Sequence, residues 1–341
     1  MSIKVLIVDD SAVVRSVLSR ELAKDPAITV VGTAPDPLVA SDKIEALAPD
    51  VVTLDIGMPR MDGLTFLRGM MKHRPLPVII VSALTPKGSK LALEALELGA
   101  VDIIQKPGGS MSMPEMAGEL ILKIKAVAKA KVHGAAAVAP LARPKTHFAV
   151  PNEAVKTLIA IGASTGGTQA IQTILTALPE SIPPILIVQH MPEGFTRAFA
   201  DRLNGLCPFE VKEAAHGDAV VPNRVLVAPG NFHMQLVRLG TRFTVDISDG
   251  PKVQRQRPAA EVLFKSVARV AATMSIGVIL TGMGADGAEG MLDMKKAGAR
   301  TIAQDEASCV VFGMPKEAIA LGGVDQIVPL DRIADTLARM V

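Results

Sequence analysis

The feature that most restricts the fold of this chain is a repeated alternation between short, fully apolar runs and segments with helical periodicity. Residues 4–10 read KVLIVDD, a continuous apolar run that ends in two acids. Such unbroken apolar strands are typical of parallel sheets that are covered on both faces. Further runs lie at 28–31, 51–54, 78–81 and 101–104, separated by helical patterns such as 12–24 and 87–98. The alternation predicts a doubly wound α/β domain in the first half of the chain.

Polar residues of this first half collect where the predicted strands end. They are Asp9, Asp10, Asp55, Ser82 and Lys106. The carboxyl ends of strands in an open α/β sheet form one edge, which is where ligands bind. Three acids at one edge repel each other unless a cation lies among them, and ligation by oxygen alone suits Mg²⁺. The alternative is that these residues are separate helix caps and solvated loop acids.

The same residues resemble the receiver domain of two-component response regulators. The similarity rests on Asp9-Asp10, the segment DIGMPRMDG at 55–63, Ser82-Ala83 and Lys106-Pro107. The resemblance implies a flavodoxin-like fold in which Asp55 accepts a phosphoryl group from a histidine kinase. It also implies Mg²⁺ on Asp10, Asp55 and the carbonyl of Gly57 with Asp9 in support, and contacts to the phosphoryl oxygens from Ser82 and Lys106.

One position departs from the receiver pattern. Many receivers carry Tyr or Phe three residues before the lysine, and this chain has Ile103 there. We therefore expect phosphorylation to act through loop and helix shifts rather than through burial of an aromatic ring.

Composition indicates two domains and argues against several classes of function. The chain has 341 residues, a net charge of +2 and neither Trp nor Tyr, so we expect no nucleic-acid partner. It lacks an apolar stretch long enough to cross a bilayer, and Asp9 and Asp10 stand where a signal peptide would be apolar. Cys207 and Cys309 fit a reducing compartment. These features predict a cytoplasmic protein without direct membrane insertion, which we expect to be a monomer.

The periodic pattern fades in the middle of the chain. After a last helix predicted at 114–131, the segment VHGAAAVAPLARPKTHFAVP is rich in Ala and Pro and has no strand or helix signal. We expect a receiver domain over 1–125, a linker over 126–152 and a second domain over 153–341.

The second half begins with the segment LIAIGASTGG at 158–167. An apolar run ends in a G-x-S-x-G pattern, and a helical pattern follows from Thr168. A serine on a tight turn between strand and helix projects its hydroxyl beyond the sheet edge, where helix N–H groups can stabilise an oxyanion. Ser164 is thus a candidate nucleophile. The alternative is a Gly-rich turn in which Ser164 is only a helix cap.

Two further strands of this half end in reactive residues. The run at 185–188 precedes His190, and the run at 276–280 precedes the loop TGMGADG, which contains Asp286. If the three strands are parallel neighbours, Ser164, His190 and Asp286 share one edge as nucleophile, base and orienting carboxylate. This predicts a second α/β domain, Rossmann-like in type. The Ser, His, Asp order differs from that of the α/β-hydrolases, so the G-x-S-x-G match alone does not indicate that fold.

Other residues remain open for these roles. His216 and His233 lie in a stretch of short strand-like runs and turns, from which either can line a cleft. Asp218 is the alternative acid, although no strand is predicted ahead of it. The loop at 282–287 also fits G-x-G-x-x-G with Asp305 about 20 residues beyond, which is the dinucleotide pattern. Against that alternative, Asp286 would place a carboxylate beside two phosphates.

The second half also resembles the catalytic domain of chemotaxis protein-glutamate methylesterases of the CheB type. The similarity rests on IGASTGG at 161–167, QHMP at 189–192, APG at 228–230 and TGMGADG at 281–287. It implies Ser164, His190 and Asp286 as a catalytic triad, with Thr165 and Met283 near the oxyanion site and no cofactor for the esterase reaction. The segment QRPAAE at 256–261 departs from a more usual His-Arg-Pro-Ser-x-Asp, which affects expected substrate contacts.

Taken with the receiver, this resemblance implies a phosphorylation-activated serine hydrolase. Such an enzyme demethylates glutamate methyl esters on methyl-accepting chemotaxis receptors and deamidates receptor glutamines, and its receiver inhibits it until Asp55 is phosphorylated. The alternative class is a signalling adaptor or transcription regulator, in which a receiver is joined to a binding domain.

Overall fold

The computed structural model describes residues 2–58, 63–83, 85–107, 112–128, 130 and 155–341. The chain divides into two compact units, 1–138 and 139–341. Most of the predicted linker, and residues 59–62 of the segment that resembles receivers, lie outside the described residues. No described helix combines the length and the apolar character that crossing a bilayer requires.

The first unit is a doubly wound α/β structure, as predicted. Its described strands form one parallel sheet in the order β2-β1-β3-β4-β5, the flavodoxin-like order. The elements are β1 (Ile3–Val8), α1 (Ala12–Leu22), β2 (Ile28–Ala34), α2 (Pro37–Leu47), β3 (Val51–Asp55), α3 (Gly63–His73), β4 (Val78–Ser82), α4 (Pro86–Glu97), β5 (Asp102–Gln105) and α5 (Met113–Val127).

Local sequence explains where several of these helices begin. Ser11 and Asp36 cap α1 and α2 by accepting the backbone N–H groups of Val14 and Val39. Ser112 and Glu115 form a reciprocal capping box at the start of α5. The last helix ends at Val127, four residues before the predicted end at Lys131. These caps determine where the helices that follow β1, β2 and β5 begin.

The second unit contains a larger parallel sheet and a separate hairpin. Its described strands have the order β14-β13-β12-β6-β7-β9-β8, and β10 pairs with β11 in an antiparallel hairpin. The elements are β6 (Leu158–Ala163), α6 (Gly167–Ala177), β7 (Ile185–Gln189), α7 (Phe195–Leu206), β8 (Glu210–Glu213), β9 (Arg224–Val227), β10 (His233–Leu239), β11 (Arg242–Ser248), α8 (Ala260–Ala271), β12 (Ser275–Ile279), α9 (Ala288–Lys296), β13 (Arg300–Gln304), α10 (Met314–Ala320), β14 (Gln326–Val328) and α11 (Leu330–Met340).

The strand order creates a switch point beside the predicted nucleophile. From β6 the chain moves to β7, β8 and β9 on one side and then returns to β12 on the other side of β6. In open α/β sheets, ligands bind in the crevice at the carboxyl ends of the strands where the order reverses. The turn after β6 and the loop after β12 border this crevice, so the fold brings the predicted site residues to the expected position.

Close packing of α8 against β6 fixes a second boundary of this crevice. Gly162 lies under α8, where an added Cβ would approach the Ala260 Cβ to 2.8 Å and Phe264 to 2.9 Å. Only glycine allows this approach. The first turn of α8 therefore lies directly above the strand that carries the nucleophile.

Candidate active site

Ser164 lies on a short turn between β6 and α6, and its backbone is held on both sides. Its N–H donates to the carbonyl of Thr281 at 3.0 Å, and its own carbonyl accepts the N–H of Gly167 at 2.7 Å. The turn depends on Gly166, whose φ is 78° and whose added Cβ would approach the Val310 Cβ to 2.6 Å. Ser164 is thus placed on a tight, well-supported turn at the carboxyl edge of the sheet.

His190 and Asp286 form a buried pair at the same edge. The N–H of His190 donates to the carbonyl of Ala163 at 3.0 Å, which places the residue beside the Ser164 turn. Its ring Nε2 lies 2.7 Å from Asp286 Oδ2, and both side chains are almost completely buried. The other ring nitrogen, Nδ1, is also buried and has no hydrogen-bond partner among the described residues. Nδ1 is therefore the nitrogen available to a proton from a neighbouring hydroxyl.

The carboxylate of Asp286 is held by the start of α8 as well as by His190. Oδ2 accepts the N–H of Ala260 at 2.6 Å, and Oδ1 accepts the N–H of Glu261 at 3.1 Å. Ala259, at the N-cap position, has only a methyl side chain, so Asp286 supplies the cap from another part of the chain. The positive end of the helix attracts the carboxylate and fixes its direction towards the imidazole.

The two residues expected near an oxyanion site lie on the same edge. Thr165 is buried, and its carbonyl accepts the hydroxyl of Thr281 at 2.9 Å. Met283 is half-buried and follows Gly282, where an added Cβ would approach the Ser164 Cβ to 2.7 Å. Both residues thus adjoin the serine turn. Their part in binding an oxyanion stays a prediction.

The alternative acid and histidines have other partners. Asp218 forms an ion pair with Lys212 at 2.8 Å, and β8 does precede it, contrary to the expectation of no strand ahead. The side chain of His216 is mostly exposed and lies 3.0 Å from Asp246. His233 is buried, and its Nε2 lies 2.9 Å from the carbonyl of Pro251. These contacts favour a structural role for all three.

The contacts of Asp286 also weaken the dinucleotide alternative. Its carboxylate already binds the start of α8 and the ring of His190. Gly282 is required because it lies against Ser164, so phosphate binding is not needed to explain a glycine in this loop. Asp305 accepts the N–H of Ser308 at 3.1 Å and its hydroxyl, so it is used within its own turn.

A second cluster of reactive side chains lies in the first unit. Carboxylate oxygens of Asp9, Asp10 and Asp55 lie within 4.8 Å of one another, and Lys106 Nζ lies 2.8 Å from both Asp9 and Asp55. The pKa of Asp9 is raised above its ordinary value, because the effect of burial outweighs that of the hydrogen bond from Lys106. Burial alone would lower the pKa of Lys106, but its hydrogen bonds to Asp55 and Asp9 outweigh burial and raise it. Three converging carboxylates fit a divalent cation such as Mg²⁺.

The other residues expected at this cluster have local partners. The N–H of Gly57 donates to Asp55 Oδ1 at 2.8 Å, and the hydroxyl of Ser82 donates to the carbonyl of Gly88 at 3.3 Å. Ile103 is buried within β5. Phosphoryl contacts from Ser82 and Lys106, and ligation by the Gly57 carbonyl, stay predictions.

Sequence reasoning did not identify the side chains that hold the serine turn and its neighbours in place. Gln189 and Gln304 are buried amides, and each is the last residue of its strand, β7 or β13. A polar residue at the end of an otherwise apolar run was the available signal.

Comparison with known proteins identifies two families along the chain. Residues 159–337 match the family model described as CheB methylesterase, and residues 5–123 match the one described as response regulator receiver domain. Protein-glutamate methylesterase/protein-glutamine glutaminase 2 of Syntrophus aciditrophicus (strain SB) is 58% identical over 341 residues, covering 99% of both chains. The protein-glutamate methylesterase/protein-glutamine glutaminase of Escherichia coli O157:H7 is 52% identical over 344 residues, covering 99% of this chain and 97% of that relative.

A solved structure supports the match to CheB methylesterase in the second unit. The crystal structure of the Thermotoga maritima CheB methylesterase catalytic domain is 39% identical, with a TM-score of 0.53. The aligned region covers 54% of this chain and 98% of the Thermotoga maritima domain. The likeness therefore concerns the unit that contains Ser164, His190 and Asp286.

Proposed function

Because the chain belongs to the CheB methylesterase family and carries a response regulator receiver domain, we propose that it demethylates methyl-accepting chemotaxis receptors. Its substrate is a glutamate γ-methyl ester, and its products are glutamate and methanol. Receptor glutamines pass through the same site and lose ammonia, in line with the glutaminase activity in the names of its relatives.

The observation that carries this proposal is the buried contact between His190 and Asp286 beside the Ser164 turn. The 2.7 Å contact commits Nε2 of the imidazole to the carboxylate. Nδ1 then serves as the base, because it is buried and has no partner within the described part of the chain. A serine hydroxyl needs such a base, and the imidazole needs an anion to orient it and to stabilise its protonated form.

The reaction proceeds through an acyl-enzyme. Ser164 Oγ gives its proton to His190 and bonds to the ester carbonyl carbon, so that a tetrahedral oxyanion forms. The bond to the methoxy oxygen breaks, and His190 returns the proton to release methanol. Water then attacks the acyl group while His190 accepts its proton. Glutamate and the Ser164 hydroxyl are regenerated. A glutamine substrate releases ammonia in place of methanol.

The oxyanion is assigned to the edge formed by Thr165 and Met283. Support comes from their neighbours in the chain, since Thr165 follows Ser164 directly and Met283 follows Gly282, which lies against Ser164, and from the N-terminus of α6, which offers backbone donors to negative charge. One such donor is worth about 10²–10³ in rate.

The receiver is assigned the control of this reaction. A chemotaxis histidine kinase phosphorylates Asp55, with Ser82 and Lys106 contacting the phosphoryl oxygens. Asp10, Asp55 and the Gly57 carbonyl would hold Mg²⁺ with Asp9 in support, and the ion would supply positive charge that offsets these acids. The converging carboxylates support this assignment.

The receiver inhibits the esterase until Asp55 is phosphorylated. A coupling of about 1–3 kcal/mol between the two states changes activity by about 5- to 150-fold. The receiver is assigned to 1–125, the linker to 126–152 and the methylesterase domain to 153–341.

The remaining assignments concern the setting of the enzyme. We place it in the cytoplasm as a monomer that acts on receptors without inserting into the membrane and binds no nucleic acid. Cys207 and Cys309 are free thiols, which fits a reducing compartment. The net charge of +2 offers little attraction to nucleic acid.

The test is methanol release from a methyl-esterified receptor preparation by the purified full chain. Wild type should release methanol, and Ser164→Ala should not. Binding to receptors with no release of methanol or ammonia would instead favour an adaptor.

A further inference from the structure

We propose that Gln189 is a positioning residue for the hydrolytic reaction, because its side-chain amide ties the Ser164 turn to the His190 turn. This role rests on the function proposed above. Nε2 of Gln189 lies 2.9 Å from the carbonyl of Ser164 and 3.2 Å from the carbonyl of His190. One amide group thus donates its two protons to the backbones of the nucleophile and the base.

The orientation of this amide is determined by its partners. Both are carbonyl oxygens, which only accept hydrogen bonds, and only the NH₂ end of a glutamine donates. The reversed amide would direct its oxygen at two other oxygens within a buried site, at a cost. Gln189 is 3% exposed, so water does not replace these contacts.

The surrounding chain leaves a place for the amide. Gly167, the first residue of α6, lies so close that an added Cβ would collide with Gln189 Oε1 and would lie 2.6 Å from the Ala163 Cβ. Oε1 is buried and has no hydrogen-bond partner among the described residues, and it faces the positive start of α6. A glycine at 167 is therefore needed to accommodate this side chain.

Satisfying hydrogen bonds is not sufficient to explain Gln189. The Ser164 carbonyl already accepts the N–H of Gly167 at 2.7 Å, so the amide is a second donor to a group that has one. The amide therefore restricts the orientation of the Ser164 peptide group, and its second proton restricts that of the His190 peptide group.

The amide belongs to a longer series of hydrogen bonds across four neighbouring strands. At the far end, Gln304 Nε2 donates to the Ser308 carbonyl at 2.8 Å, and Gln304 Oε1 accepts the N–H of Thr281 at 2.8 Å. The Thr281 carbonyl accepts the N–H of Ser164 at 3.0 Å, and the series continues through Gln189 to His190. Ser164 is therefore located from both sides by a buried strand-end glutamine.

Loss of Gln189 should affect the rate because catalysis tolerates little displacement of the reacting groups. A misplacement of about 1 Å between reacting groups can cost about 10²-fold in rate. Gln189 joins the turns of the nucleophile and the base from a buried position, so its loss should lower kcat and leave KM unchanged.

The test compares Gln189→Met and Gln189→Glu with wild type in the full chain, using methanol release from methyl-esterified receptors. Methionine keeps the length of the side chain without a donor, and glutamate keeps its shape but directs oxygens at both carbonyls. We expect kcat to fall about 10- to 100-fold in each variant, with KM changed by less than about twofold. Gln304→Met should lose less, because Gln304 contacts Thr281 and Ser308 and reaches Ser164 only through Thr281.

A matched control separates positioning from general stability. Thr301 is also buried in this unit, and its hydroxyl bonds to Asp325 at 3.0 Å at the amino end of β13, away from the site. Thr301→Val should lower the melting temperature as Gln189→Met does and keep the wild-type kcat.

The outcomes distinguish two failures. If folded Gln189→Met and Gln189→Glu both keep kcat within about twofold of wild type, Gln189 does not position the reacting groups. Positioning is equally contradicted if Thr301→Val loses kcat in proportion to its melting temperature, since stability alone would then explain the loss. If wild type and Ser164→Ala both release no methanol, the proposed function itself is wrong.

Discussion

In the first unit, acids after β1 and β3 share one lysine, whereas in the second unit the acid after β12 is enclosed by an imidazole and two backbone donors. Both groups lie at the carboxyl edge of a parallel sheet, because both units place polar residues where apolar strands end. The first group has three carboxylates, of which those of Asp9 and Asp55 pair with the one ammonium of Lys106, and Asp10 is exposed. The second is buried and internally paired.

The two clusters differ in what their contacts leave open. The first has excess negative charge, whereas the second has its side chains held in fixed directions. In the first cluster, negative charge exceeds the positive charge available, and burial raises the pKa of Asp9. Such a cluster responds when a cation or a phosphoryl group is added. In the second, fixed neighbours direct the Asp286 carboxylate and the Nε2 of His190, and fixed direction is what transition-state stabilisation requires. The predictions below test this contrast, from the largest effect to the smallest.

Ser164→Ala should have the largest effect, because it removes the proposed nucleophile. We expect methanol release to fall by about 10⁴-fold or more. The three backbone hydrogen bonds of residue 164, with Thr281, Gly167 and Gln189, remain in the variant, so the melting temperature should stay close to that of wild type. Residual activity above a small fraction in the purified variant would assign the nucleophile elsewhere.

Asp286→Asn should come next. An amide can hold the wrong imidazole tautomer and does not stabilise the protonated ring, so kcat should fall about 10²- to 10⁴-fold. It also weakens the cap that Asp286 provides for α8, so some loss of melting temperature should accompany the loss of rate.

Asp218→Asn is the matched control for this variant. Asp218 is an acid of the same unit, but its partner is Lys212 rather than a histidine. Its kcat should equal that of wild type. A fast Asp286→Asn enzyme together with a slow Asp218→Asn enzyme would move the acid role to Asp218.

Asp55→Ala should affect control rather than chemistry. A phosphodonor in Mg²⁺ should raise wild-type methanol release by about 5- to 150-fold, and the variant should show no increase.

Deleting residues 1 to about 130 should raise basal activity if the receiver inhibits; the Thermotoga maritima catalytic domain was crystallised as a separate domain. A deletion variant no faster than the unphosphorylated full chain would mean that the receiver acts by recruitment or direct activation.

The smallest effect concerns the stability that Asp218 provides. Burial alone would raise the pKa of Asp218, but hydrogen bonds from Lys212 and the Ala215 N–H outweigh burial and lower it below the ordinary 3.8. The folded state therefore gains stability from this group above pH 3.8, and the gain is lost as the pH falls through the lowered pKa. Asp218→Asn should reduce the free energy of unfolding by about 0.5–1 kcal/mol at neutral pH. In urea titrations, the difference between the two proteins should begin to shrink below pH 3.8 and vanish once the pH is below the lowered pKa of Asp218; a difference that persists there would contradict the ion-pair explanation.

The sequence predicts the edge on which the site lies better than it predicts the contacts within it. The apolar runs before Ser164, His190 and Asp286 locate three strand ends, and parallel pairing then brings these residues to one edge. No local pattern reveals that the start of α8 binds Asp286, because that contact joins segments 26 residues apart through the order of the strands.

The same limit applies to the remaining differences between prediction and structure. The two donors of Gln189 reach backbone carbonyls, which every residue type presents equally. The sequence of the β10–β11 hairpin shows only short strand-like runs, since its pairing depends on register and not on composition.

The most direct test of a single hydrolytic centre is a double-mutant cycle on methanol release with Ser164→Ala, His190→Ala and the double variant. Members of a triad act as a unit, so once one of them is removed, removing a second lowers the rate little further. We predict that each single variant falls nearly as far as the double variant. If instead the two losses multiply, so that the double variant is slower by the product of the single effects, Ser164 and His190 belong to separate sites and the buried pair with Asp286 is only structural.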